Sequence, residues 1–129
     1  MNPLSKPDYM PVGELRALQL AKLQKIVAYE YERVKLFRVR CDEKGVKPAD
    51  LKSLADLAKF PFMKKTDLRD EYPTGLTAAP MSEIVRFHCS SGTTGKPICI
   101  PNTKGDIEVW ADATARALAM YGLGAEDVL

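Results

Sequence analysis

Apolar residues recur at helical spacing from about Gly13 to Arg40. Leu20, Leu23, Val27, Tyr31 and Val34 form one stripe, and Leu15, Leu18 and Ile26 widen it. Lys22, Gln24, Lys25, Glu30, Glu32 and Arg33 fill the other side. The phase becomes ambiguous near Lys35, which predicts either one long helix or two helices with a bend, and Lys44-Gly45 supplies a stop. Ahead of this region, the first ten residues, with Pro3, Pro7 and Pro11 close by, read as an extended arm.

Shorter elements follow. Ser53 stands three residues before Asp56, a capping arrangement that predicts a short helix over residues 54–59, ended by Pro61. Thr66 reads as a second N-cap, opening a brief helix through Tyr72 that Pro73 terminates. The character changes after Pro80. Glu83 to His88 is short, β-branched and roughly alternating, as a half-buried strand is, and Ile98-Cys99-Ile100 is a second apolar run. Thr103 and Asp106 repeat the capping signature before Ile107, Trp110, Ala113, Ala117 and Tyr121, which mark a helix ending at Gly122. Residues 124–129 read as a turn entering a strand. Helices, then two strands around a glycine loop, then a helix, predict a mixed α/β fold.

Composition narrows the function classes. Hydrophobic residues make up 46% and charged residues 28% of 129 positions, a globular balance. The net charge of +2, from 19 basic and 17 acidic side chains, makes no case for a nucleic-acid partner. No apolar run approaches a membrane span, and Met1 to Lys6 carries no hydrophobic signal region. The odd set Cys41, Cys89 and Cys99, without CxxC spacing, reads as reduced thiols of a cytoplasmic protein rather than a disulfide frame or a metal site.

The chemistry is concentrated between the two strands. Ser90-Ser91-Gly92-Thr93-Thr94-Gly95-Lys96-Pro97 holds two glycines, four hydroxyls and a lysine. Glycine lets successive backbone N–H groups converge on one anion, and hydroxyls and Lys96 add donors. Charge-assisted contacts of this kind are each worth roughly 1.5–3 kcal/mol in a shielded site. The spacing is not that of the common P-loop: Gly92 and Gly95 enclose only Thr93 and Thr94, and Pro97 follows Lys96 where that motif needs a hydroxyl for magnesium. No GxGxxG fingerprint is present. By composition alone the segment reads more readily as a hairpin loop of ordinary turn residues than as a phosphate cradle.

The loop resembles the signature loop of adenylate-forming enzymes, whose pattern is Ser-Gly-Thr-Thr-Gly-x-Pro-Lys. Here Ile98 stands in place of the final lysine and Lys96 precedes the proline, an arrangement typical of the phenylacetate–CoA ligase branch. Arg86-Phe87-His88, the stretch from Asp106 to Arg116 with Trp110, and upstream Leu15-Arg16, Tyr31 to Val34, Leu57 to Pro61 and Asp67 to Pro73 also resemble that branch.

The resemblance implies ATP, CoA and magnesium as cofactors, with a nucleotide and an aromatic carboxylate as small-molecule partners. It assigns Ser90, Ser91, Gly92, Thr93, Thr94, Gly95 and Lys96 to the ATP phosphates, and assigns neither a catalytic nor a metal-binding residue. Residues 1–75 are expected to be the extended arm and helical region. Residues 76–129 are expected to open an adenylation domain that stops short at 129, leaving the N-terminal fragment inactive by itself and inclined to homo-oligomerise. The second reading is a non-catalytic helical interaction module with a vestigial loop. His88 reads as a strand histidine in local contact, or as a group approaching nucleotide. Trp110 and Tyr121 read as core, Cys89 as structural, and Lys35, Arg38 and Arg40 as a solvated face, with a dimer rim near Leu36 and Phe37 as the alternative.

Overall fold

A computed structural model describes residues 9–90, 97–124 and 126–128. Most of the expected arm and loop residues Ser91, Gly92, Thr93, Thr94, Gly95 and Lys96 therefore lie outside the described residues.

Two helices open the described chain, α1 (Val12–Arg33) and α2 (Lys35–Glu43). The ambiguity near Lys35 resolves as a one-residue break at Val34, extended at φ −101° and ψ 105° and only 1% exposed. Its N–H still reaches the Glu30 carbonyl at 2.8 Å, and its own carbonyl accepts from the Arg38 N–H at 3.0 Å. The chain thus turns without orphaning a buried backbone group. Helix α2 stops where Lys44-Gly45 predicts. Gly45, at φ 67°, donates to the Asp42 carbonyl and Val46 donates to the Cys41 carbonyl, both at 3.0 Å. That pair of bonds satisfies the last carbonyls and needs a left-handed residue between them.

The core gathers Val27 of α1, Cys41 of α2, Leu51 and Phe60, with Leu20, Leu23, Tyr31, Phe37 and Val46 packed on it. Leu51 and Phe60 each follow a 3-10 turn, over Pro48–Asp50 and Leu54–Lys59. The second is the helix that Ser53 and Asp56 predict, in its tighter form. The Asp56 carboxylate accepts from the Ser53 N–H at 2.7 Å and from its hydroxyl at 2.8 Å. Gln24 donates to the Leu51 carbonyl at 2.8 Å, holding this segment against α1.

Helix α3 (Lys65–Asp70) starts earlier than Thr66 predicts: Lys64 is its N-cap, and Asp67 accepts the Lys64 N–H at 2.6 Å. Asp67 also takes a bidentate grip from Arg40, Nη1 to Oδ2 at 2.6 Å and Nη2 to Oδ1 at 2.7 Å. The solvated face therefore needs correction at Arg40, which clamps α2 to α3. Phe37 packs, half-buried, against the core.

Strands β1 (Ile84–Cys89) and β2 (Cys99–Thr103) pair antiparallel, with a bulge between Ile84 and Arg86. Helix α4 (Lys104–Met120) follows directly. Its start is the predicted box: Asp106 accepts from the Thr103 N–H and hydroxyl at 2.8 Å each, and the Asp106 N–H donates to Thr103 Oγ1 at 3.2 Å. Its end repeats the α2 device, with Gly122 at φ 84° and bonds from the Gly122 and Leu123 N–H groups to the Ala119 and Leu118 carbonyls. Beyond it, Gly124 and Asp127 close a turn, and residues 126–128 form no strand. The core role read for Trp110 and Tyr121 is corrected: they are 52% and 86% exposed. Apolar spacing marks a face that wants cover, and none of the described residues of α4 is buried.

Candidate functional site

The hairpin presents the loop through a closed neck. The last strand pair is Cys89 opposite Cys99. One step further, the Ser90 N–H donates to the Ile98 carbonyl at 2.9 Å, and the Ile98 N–H donates to Ser90 Oγ at 2.9 Å. The Ser90 hydroxyl thus does what a backbone carbonyl does in a regular ladder, extending the hairpin to the edge of the loop. Its oxygen is engaged within the neck, while its hydrogen remains available as a donor. Of the seven residues assigned to phosphate, Ser90 is placed at this neck, and Ser91 to Lys96 lie outside the described residues.

Behind the neck, β1, β2 and α4 are locked by a polar contact that sequence reasoning missed. Asn102 is 8% exposed, although it is an amide in a short strand. Its Nδ2 donates to the Ile100 carbonyl at 2.8 Å and lies 3.2 Å from His88 Nδ1. The carbonyl contact fixes the amide orientation, because the flipped amide would set two oxygens against each other. An N–H therefore points at Nδ1, which accepts and leaves the ring hydrogen on Nε2. The His88 ring meets Trp110 edge to face, centroids 4.6 Å apart. His88 is thus in local contact, and the signal for Asn102 was its position among the apolar residues of β2.

A cleft of about 510 Å³ lies between α1, α3, the segment before β1 and β2, with Ile26, Tyr29, Leu76 and Ile100 in its wall. Glu30, Glu71 and Glu83 also line it, and burial pushes the Glu30 carboxyl above its usual range. Asp106 lines it as well, and four carboxylates around one space disfavour a polyphosphate there.

Relatives of known structure define the class. A 2-hydroxyisobutyryl-CoA ligase solved in the postadenylation state with 2-HIB-AMP matches with a TM-score of 0.78 at 32% identity, over 88% of this chain and 25% of that one. The same ligase with 2-HIB-AMP and CoA, in the thioesterification state, matches with a TM-score of 0.74 at 37% identity, over 83% and 24%. The fold is that of a segment of an adenylate-forming CoA ligase. No protein-family model matches the sequence. Individual sequences also match over most of this chain. The phenylacetate-coenzyme A ligase of Thermus thermophilus is 52% identical over 115 residues, 89% of this chain and 26% of that protein. Those of Aromatoleum evansii and Escherichia coli are 53% and 46% identical over 90% of the chain, again 26% of each protein. The chain is a homologue of a segment of the phenylacetate–CoA ligases, and spans about a quarter of the length of the curated relatives it matches. A 115-residue match within 129 residues includes Ser90 to Pro97 wherever it begins.

Proposed function

We propose that this chain carries the ATP-phosphate loop of an AMP-forming acid–CoA ligase that acts on an aromatic carboxylate in the cytoplasm. The carboxylate attacks the α-phosphate of ATP, giving an acyl-adenylate and pyrophosphate; the CoA thiol then displaces AMP and leaves a thioester. Residues Ser91 to Lys96 supply hydroxyl, backbone and ammonium donors to the departing β- and γ-phosphates, where charge develops in the first step. The donor set suits a polyanion, and the chain enters and leaves the loop through the hydrogen-bonded Ser90–Ile98 neck. Magnesium would neutralise phosphate charge when bound with ATP. Among the described residues no group of three or more His, Cys, Asp or Glu side chains is placed to hold a metal, so it is given no ligand here.

The identity of 46–53% to phenylacetate-coenzyme A ligases over alignments of 111–116 residues carries this reading. The chain alone is inactive on this account, because it spans only about a quarter of the length of the ligases it matches. The test is a full-length ligase carrying this segment, assayed for CoA thioesters of phenylacetate and of 2-hydroxyisobutyrate. Preference for phenylacetate supports the aromatic class, and preference for the aliphatic acid overturns it. Thioester formation by the purified 129-residue chain would contradict its inactivity.

A further inference from the structure

Cys89 and Cys99 face each other across the hairpin with their sulfurs 3.1 Å apart, as free thiols. Because Ser90 and Ile98 form the hydrogen-bonded pair, Cys89 and Cys99 form the neighbouring non-hydrogen-bonded one. Such pairs bring their Cα atoms to about 4.5 Å, the short end of the roughly 4.4–6.8 Å range that a disulfide spans. Cys89 is exposed and Cys99 half-buried, so a small reagent reaches the first and the second is already beside it. Cys41 differs in every respect: it is 0% exposed in the helical core, and burial pushes its thiol up.

We infer that Cys89 and Cys99 are a cross-strand dithiol that closes reversibly to a disulfide with a small-molecule disulfide such as oxidised glutathione, while Cys41 stays a thiol. The Cys89 thiolate attacks one glutathione sulfur, breaking the glutathione S–S bond and releasing one glutathione thiolate. Cys99 loses its proton to solvent and attacks the Cys89 sulfur of the mixed disulfide, releasing the second glutathione. Two cysteines are oxidised by two electrons, and one glutathione disulfide is reduced to two thiols. The Cys99 thiol is pushed up, first by its hydrogen bond with Cys89 and then by burial, so the second step quickens as pH rises. The new bond ties the strand pair next to the loop. This chemistry does not depend on what the loop binds.

The test is to equilibrate the native chain in glutathione buffers of rising oxidised fraction, quench in acid and map the linkage by mass spectrometry. The expected result is loss of alkylation at Cys89 and Cys99 together, a fragment joining them within one chain, and full reversal by excess reduced glutathione. Cys41→Ser should show the same transition. Cys89→Ser and Cys99→Ser should each lose the link and take up one glutathione on the remaining sulfur. Separate glutathiones on both cysteines of the native chain, links between chains, or a link that includes Cys41 would overturn the inference.

Discussion

The helical region and the hairpin with α4 are held together by different means. In the first, Val27, Val34, Cys41, Leu51 and Phe60 are at most 5% exposed, and Arg40 and Asp67 fasten its outer edge. In the second, Asn102 is buried while Val85, Phe87, Ile100, Val109, Trp110, Met120 and Tyr121 are all about half exposed or more. Strand pairing, the Thr103–Asp106 box and the contacts of His88 with Asn102 and Trp110 hold it instead. The loop sits on the second region. Burial supplies stability at a distance from the proposed chemistry, and directional bonds shape the backbone next to it.

That contrast breaks most visibly at Leu51. Leu51→Ala empties a fully buried site and should cost about 2–5 kcal/mol, read by urea unfolding. A cost near that of a surface change would mean the helical region has no core of its own. Asp67 sharpens the same point through pH. Arg40, first by its hydrogen bonds, and the Lys64 N–H hold the Asp67 carboxyl down at about 2, against about 3.9 for a free aspartate. Between these values the unfolded chain binds more protons, so this pair's stabilisation is full above about pH 4 and is lost as pH falls toward 2. Asp67→Asn should lower the melting temperature at neutral pH and flatten its fall in acid; an unchanged acid profile would contradict the clamp.

Smaller effects belong to the second region. Thr103→Ala should cost about 1 kcal/mol by removing the cap of α4. Hydrogen exchange should quicken in the first turn of α4 and stay unchanged in α1. Trp110→Ala should cost only about 0.5–1.5 kcal/mol, the value of an aromatic pair, because the ring is half exposed. The exposed edges and the α4 face should also drive weak self-association. Sedimentation at high micromolar concentration checks this, and a clean monomer would count against it.

Local signals were legible in the sequence. Ser53–Asp56, Thr103–Asp106 and Lys44-Gly45 act on their own backbone within a few residues, and the structure uses all three. Thr66 misled because Asp67, one residue on, serves as the N3 acceptor for Lys64. Arg40 looked solvated because its partner lies 27 residues away, and no local pattern announces it. Trp110 and Tyr121 showed the right periodicity, but periodicity identifies a face without saying what covers it. Cys89 and Cys99 flank the loop symmetrically, so their meeting was present as a hairpin register; without the register, each looked like an ordinary strand cysteine. The phosphate assignment of the loop rests on its residue types and its resemblance to the adenylate-forming enzymes, and Ser91 to Lys96 lie outside the described residues. The neck that Ser90 makes was not legible, because a side chain standing in for a carbonyl leaves no mark in the sequence.

The central claim is that the loop serves the adenylation step. In a full-length ligase carrying this segment, Gly92→Ala, Gly95→Ala and Lys96→Ala should each be assayed in two half-reactions: ATP–pyrophosphate exchange, and conversion of a preformed acyl-adenylate to the thioester. Pyrophosphate is present only in the first. Exchange should fall by about 100-fold in the glycine variants, the usual scale for disturbing a preorganised donor, and less in the lysine variant, whose point charge water and magnesium partly replace. Thioester formation from the adenylate should change little. Equal losses in both half-reactions would make the loop a structural element and contradict the phosphate assignment.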